Sequence, residues 1–272
     1  VLCSPKFLYL AEATETEKTP VQEELELASR LSFFLWNGPP DQRLKTLAQQ
    51  QSLRSGLSEE LPRLLEDPRS WNFVEAFCDQ WLRLDRHQGM RVDVRKHPSF
   101  TRFVKDDLSR ETYHFVRHAL CENLNLFTLI DSDFVIVNQN LAEFYGLPDV
   151  RGTQFRMVPV RPETQRGGLL TQGSFLSGHS DGTLGHPVKR AVWLMERILG
   201  TSPPPPPPNV PTLPVEKANK RKQSIAAQLA THRDNISCRN CHKKLDPYGL
   251  VFEDYNGAGL LHRKPGSSPD TQ

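Results

Sequence analysis

The sequence is poor in sulfur, in long apolar runs and in net charge. No apolar stretch reaches the ~20 residues of a membrane-spanning helix. Thirty-four Lys and Arg against 32 Asp and Glu leave a formal charge of +2, with both signs spread along the chain. That is no footprint for nucleic acid or for an anionic membrane surface. Nucleophile elbow, P-loop, dinucleotide fingerprint and HExxH are all missing, and there is no internal repeat. A basic and apolar leader is missing too. The opening Val1-Leu2-Cys3-Ser4-Pro5-Lys6-Phe7-Leu8-Tyr9-Leu10 instead reads as the interior of a longer precursor. On that reading the missing leader says nothing of where the chain is made.

What the chain does have is length and helical periodicity. Its 272 residues suffice for one large domain or two small ones with a real core. The apolar spacing predicts a helix over 23–36, with Leu25, Leu27, Ala28, Leu31, Phe34 and Leu35 largely on one face and Asn37-Gly38-Pro39-Pro40 as its stop. Short helices are expected over 41–50 and 59–65. A helix over 71–84 carries Phe73, Phe77, Trp81 and Leu84, and a longer one covers 100–120. These aromatics read as core packing, and the scattered Cys3, Cys78 and Cys121 read as small buried hydrophobes. The run 129–138 reads as a turn and a short strand, with Asn138 capping a helix over 139–145. Asp131 and Asp133 read as turn chemistry, because the rest of a calcium loop is absent. A helix opening at Arg166-Gly167-Gly168 is expected to reach Leu176, and Pro187 starts another that runs to Leu199.

Composition then changes. Six consecutive prolines, Pro203 to Pro208, form an extended polyproline strap. The expected fold is mainly α: an irregular helical bundle (1–200, divisible near 150–165), a polyproline linker (201–216) and a small C-terminal module (217–272). A basic amphipathic helix over 217–232 leads into that module.

The module holds Cys238-Arg239-Asn240-Cys241-His242. Five cysteines and nine histidines make this arrangement far from a chance event. The chemistry requires the spacing. Two thiols one helical turn apart can add to the two vinyl groups on one edge of a porphyrin, and the next histidine then sits beneath the iron as proximal ligand. The expected cofactor is therefore covalent haem c, with Cys238 and Cys241 as thioethers and His242 on the metal. Apolar Leu245, Pro247, Tyr248, Leu250, Val251 and Phe252 follow and can wall one haem face. Zinc held by Cys238 and Cys241 with His242, His232 or His262 is a competing reading, but a second CxxC or HxxxH is missing. A thioredoxin-type CxxC lacks its βαβ context. The sixth iron ligand stays open: His232 and Met157 lead, with His179 and His186 behind them and Met195 read as packing. Glu111, His114 and His118 have an ExxHxxxH spacing, but no second helix matches it for a di-iron site.

Three sets of residues carry a resemblance. The first is Leu27 to Trp36, Asp67-Pro68-Arg69 and Gln80 to Leu84. The second is Val137-Asn138 through Tyr145-Gly146, Arg166 to Gln172 and Pro187 to Arg190. The third is Pro203 to Pro211, His232-Arg233, Cys238 to His242 and Asp246 to Leu250. In this order they resemble the large planctomycete-type multidomain cytochrome c proteins, whose helical domains have no known function. The resemblance implies an exported, periplasmic or cell-surface protein with a further N-terminal haem domain outside this chain. It also implies that the chain begins within the first helical domain and stops before the family's last segment. The family's usual Glu-Asn-Phe-Asp is here Glu253-Asp254-Tyr255-Asn256, and its usual Trp-Arg is replaced at Leu261-His262.

The expected function is electron transfer within a larger multi-haem protein, the partners being its other haem domains or a redox protein. One alternative is a peroxidase- or oxygenase-type haem enzyme with an open iron face served by His232-Arg233. Another is a structural module whose motif holds zinc or nothing.

Overall fold

A computed structural model describes residues 18–203 and 236–261. The described residues are mainly helical, as expected, with one two-stranded sheet. The polyproline run beyond Pro203, the helix expected over 217–232 and the candidate residues His232, Arg233 and His262 lie outside them. The chain divides into two compact units, Val1–Ala76 and Phe77–Gln272.

In the first unit, α1 (Pro20–Trp36) begins three residues earlier than its apolar period suggests. Thr19 and Gln22 form a reciprocal capping box, and Pro20 occupies the first turn. Asn37 ends the helix in the left-handed conformation. With α2 (Gln42–Gln49) and α3 (Leu57–Glu66) it encloses Ala28, Leu35, Trp36, Leu44, Ala48, Leu53 and Leu64. The indole of Trp36 donates to the Leu64 carbonyl at 2.9 Å, and the Arg69 guanidinium lies 3.6 Å over its ring. Phe34 does not join this core. It is 65% exposed and lies against Phe73, because the buried stripe runs through Ala28, Ser32 and Leu35.

Helix α4 (Trp71–Leu82) spans the division between the units. The single helix expected over 71–84 breaks at Arg83, which takes a left-handed conformation (φ 56°) and lets α5 (Leu84–Gly89) start in a new direction. Capped by Thr101, α6 (Arg102–Cys121) follows. Strand β1 (Phe134–Val137) is wholly buried and pairs antiparallel with β2 (Arg156–Pro159), Ile136 opposite Met157. Between them Asn138 caps α7 (Gln139–Tyr145), its side chain accepting from Leu141 N at 3.0 Å. The core here joins Val104 and Leu108 of α6, Val135 and Val137 of β1, Leu141 and Phe144 of α7, and Ala258.

The helix expected from Arg166 to Leu176 is instead a tight bend, a short 3-10 turn (Leu169–Thr171) and α8 (Gly173–Gly178). The cause is Gly168. Its φ is +72°, its N–H donates to Ser132 Oγ at 2.9 Å, and a Cβ there would collide with the Ile130 carbonyl. Pro187 opens α9 (Pro187–Arg197) as expected, ending two residues short of Leu199. Helix α10 (Ile236–Gly249) packs along α9, and the approach is close enough that a Cβ at Gly249 would meet the Pro187 carbonyl at 2.5 Å.

One side chain holds these parts together. Arg190 of α9 is fully buried, and its guanidinium donates to four main-chain oxygens: Phe252 (2.7 Å), Tyr255 (2.9 Å), Asn256 (2.9 Å) and Leu176 (2.9 Å). Arg190→Met should remove this donor from all four oxygens, of which that of Phe252 keeps Tyr255 N at 3.1 Å, at a cost of about 3–5 kcal/mol. Arg190→Lys should recover less than half of that, since an ammonium is a compact point donor with no fork to span four oxygens. Denaturant unfolding followed by far-UV circular dichroism checks both. A loss below about 1 kcal/mol in the Met variant would show that the clamp is not structural.

Candidate haem-attachment site

The helical backbone of α10 runs through positions 238, 241 and 242, so the attachment residues stand one turn apart on a regular helix. The side chains of Cys238 and Cys241 lie outside the described set. That of His242 lies within it, and its setting is specific. The imidazole is buried, at 9% exposure, and Nδ1 is 2.8 Å from Oδ1 of Asp246, one helical turn further on and 3% exposed. An ionised carboxylate can only accept, so Nδ1 is the donor of this pair and Nε2 is the nitrogen that would ligate a metal. Leu245 on the same helix and Phe252 in the 3-10 turn Leu250–Phe252 are both buried. The setting therefore fits a proximal histidine: its Nδ1 is oriented by a carboxylate, as in metal-ligating histidines generally.

The sixth-ligand candidates are scattered. Met157 is 57% exposed on β2. His179 follows α8 and is buried, its Nδ1 2.9 Å from the Phe175 carbonyl and its ring against Phe175 and Trp193; burial pushes its pKa down to about 4. His186 caps α9, its Nδ1 accepting from Lys189 N. Met195 is half-buried on α9. Among the described residues no group of three or more His, Cys, Asp or Glu is arranged to hold a metal ion.

Glu111, His114 and His118 do not converge. His114 stacks on Phe155 (4.5 Å between centroids) and His118 meets Phe134 edge-on. Glu111 turns the other way into a cluster that sequence spacing does not reveal. Its Oε2 accepts from the Tyr145 hydroxyl at 2.6 Å, and that hydroxyl accepts from Gly173 N at 2.9 Å. The Arg166 guanidinium lies 4.0 Å over the Tyr145 ring and donates to the carbonyls of Thr171 (2.5 Å) and Gly259 (2.7 Å). Tyr255, beneath the same guanidinium, donates to the Gln165 carbonyl. Burial dominates at Glu111 and pushes its carboxyl up to about 7, against the hydrogen bond from Tyr145 and the charge of Arg166.

These shifts set opposite pH limbs. The folded state holds the Glu111 proton more tightly than the unfolded chain does. Its stabilising contribution is complete below about pH 4.5 and is lost as pH rises through 7. His87 bridges Ser177 Oγ and the Lys105 carbonyl; burial lowers it, like His179, from 6.5 to about 4. Their contribution is complete above about pH 6.5 and is lost as pH falls toward 4. Glu111→Gln should therefore flatten the fall in stability between pH 5 and 7, on the order of 1 kcal/mol per pH unit, and leave the acid limb in place. Thermal unfolding across pH 4–8 reads both limbs, and an unchanged slope above pH 5 in the variant would count against this assignment.

Residues 23–147 match the family model PSD4, a protein of unknown function (DUF1592), and residues 166–265 match PSCyt3, a protein of unknown function (DUF1588). Comparison with curated proteins and with solved structures found no match. Both matched families are associated by name with planctomycete-type cytochrome c proteins, and neither match is a cytochrome c domain itself. Over these two stretches, the second of which contains Cys238, Cys241 and His242, the chain is similar to cytochrome-associated families of unknown function.

Proposed function

We propose that this chain is part of an exported multidomain cytochrome and carries one haem c on α10, through which electrons pass to other haem domains or a redox partner. One observation carries the reading: the histidine directly after the CxxC is buried and its Nδ1 lies 2.8 Å from a buried carboxylate, the contact that orients a metal-ligating imidazole. Haem c, when bound, supplies a one-electron iron couple. The protein's own part is to hold and shield it. Cys238 and Cys241 would form the thioethers and His242, itself buried, would ligate the metal. The absence of any recognised hydrolytic or nucleotide motif and the family names agree with this role. The haem-free alternative, a zinc site, would use the same thiolates and could use the same oriented imidazole, so covalent attachment is what separates the two.

Expression of the full chain in a periplasm equipped for cytochrome c maturation tests the proposal. Haem staining of the denatured chain and a Soret band are expected. Cys238→Ser together with Cys241→Ser should abolish the stain, while His242→Ala should keep it and alter the spectrum. A purified wild-type chain that binds stoichiometric zinc and never stains for haem would overturn the proposal.

A further inference from the structure

We infer that Asp246 is a positioning residue that sets how strongly His242 donates to iron, and that it thereby holds the couple at low potential. The inference rests on the haem reading above. Histidine and carboxylate stand four residues apart on α10, so the backbone that presents Cys238 and Cys241 also fixes their pairing. Both groups are buried. In such surroundings a charge-assisted hydrogen bond is stronger than in water and is little weakened by solvent exchange. The acceptor is a carboxylate, not a main-chain carbonyl. It draws the Nδ1 proton toward itself and moves electron density onto the ring, which makes Nε2 a more basic ligand. A more basic axial nitrogen favours the more highly charged iron state, and so the oxidised form. The nearest cations on the helix, Lys243 and Lys244, are exposed and so screened by water. Leu245 is buried on the same turn, so the pair sits beside apolar surface. On this account Asp246 serves the iron without touching it.

The test uses the haem-loaded full chain and its Asp246→Asn and Asp246→Glu variants. Asp246→Asn should raise the midpoint potential by the equivalent of a tenfold change in the oxidised-to-reduced ratio, about 59 mV for one electron. It should also lower the iron–histidine stretching frequency in resonance Raman spectra. Asp246→Glu, which restores the charge, should recover part of both shifts. A haem-loaded Asp246→Asn with wild-type potential and stretching frequency would overturn the inference and leave the haem reading intact. A wild-type chain without covalent haem would instead sink the haem reading and this inference with it. Should Asp246→Asn fail to load haem, nitrogen-15 spectra of the histidines in the haem-free wild-type chain decide the matter. His242 protonated on Nδ1 supports the role assigned to Asp246, and His242 protonated on Nε2 overturns it.

Discussion

The second unit depends on a cation placed where no anion meets it. The guanidinium of Arg190 is buried between α9, the end of α8 and the turn after α10, and its hydrogen-bond partners are four carbonyl oxygens. A buried charge is tolerated only when most of its donors are met; Nη1 and Nη2 are satisfied by the oxygens at 176, 252, 255 and 256, which must converge wherever Arg190 goes. That requirement draws the chain after α10 against α8 and α9. Burial pushes the guanidinium down to about 9, which still leaves it charged at neutral pH. Arg166 repeats the device on a smaller scale, joining Thr171 to Gly259 with Tyr145 as a platform. Two tryptophan indoles continue it between helices: Trp81 donates to the Arg197 carbonyl and Trp193 to that of Leu82.

The attachment helix inherits its setting from that clamp. Because the turn after α10 is fixed, Phe252 is held against Phe175, which packs on Trp193. The orientation of the His242 imidazole comes from Asp246 within the same helix. Helices α8, α9 and α10 of the second unit are joined through main-chain oxygens, whereas the His242–Asp246 pair is set within one helical turn.

Local signals in the chain announce much of this. Asn138 ahead of an apolar run and Pro187 after a Gly-rich loop mark helix starts because capping and proline geometry act over a few residues. The break at Arg83 was not legible, since a left-handed arginine has no sequence signature and is imposed by packing on either side. The bend at Gly167-Gly168 was misread as a helix because its cause, the strand-side backbone at Ile130 and Ser132, lies more than 30 residues away. Glu111 was grouped with His114 and His118 on spacing alone, while its partner Tyr145 is 34 residues distant. Asp246 could have been found: a carboxylate four residues after the histidine on one helix is a local pattern.

The clamp has one further property. The hydrogen bonds of Arg190 and Arg166 go to main-chain oxygens, so they do not depend on the side chains at 253, 254 and 256. The departure from the resembled family's Glu-Asn-Phe-Asp is therefore one that the fold can absorb. Asn256 uses only its Oδ1, which accepts from Ala258 N and Leu260 N, a task an aspartate performs equally well. Tyr255 keeps the aromatic ring and adds a hydroxyl that reaches Gln165. The segment is thus fastened by its backbone and by buried Phe252 and Ala258, which leaves the partly exposed 253, 254 and 256 as the positions where sequence can drift while geometry stays.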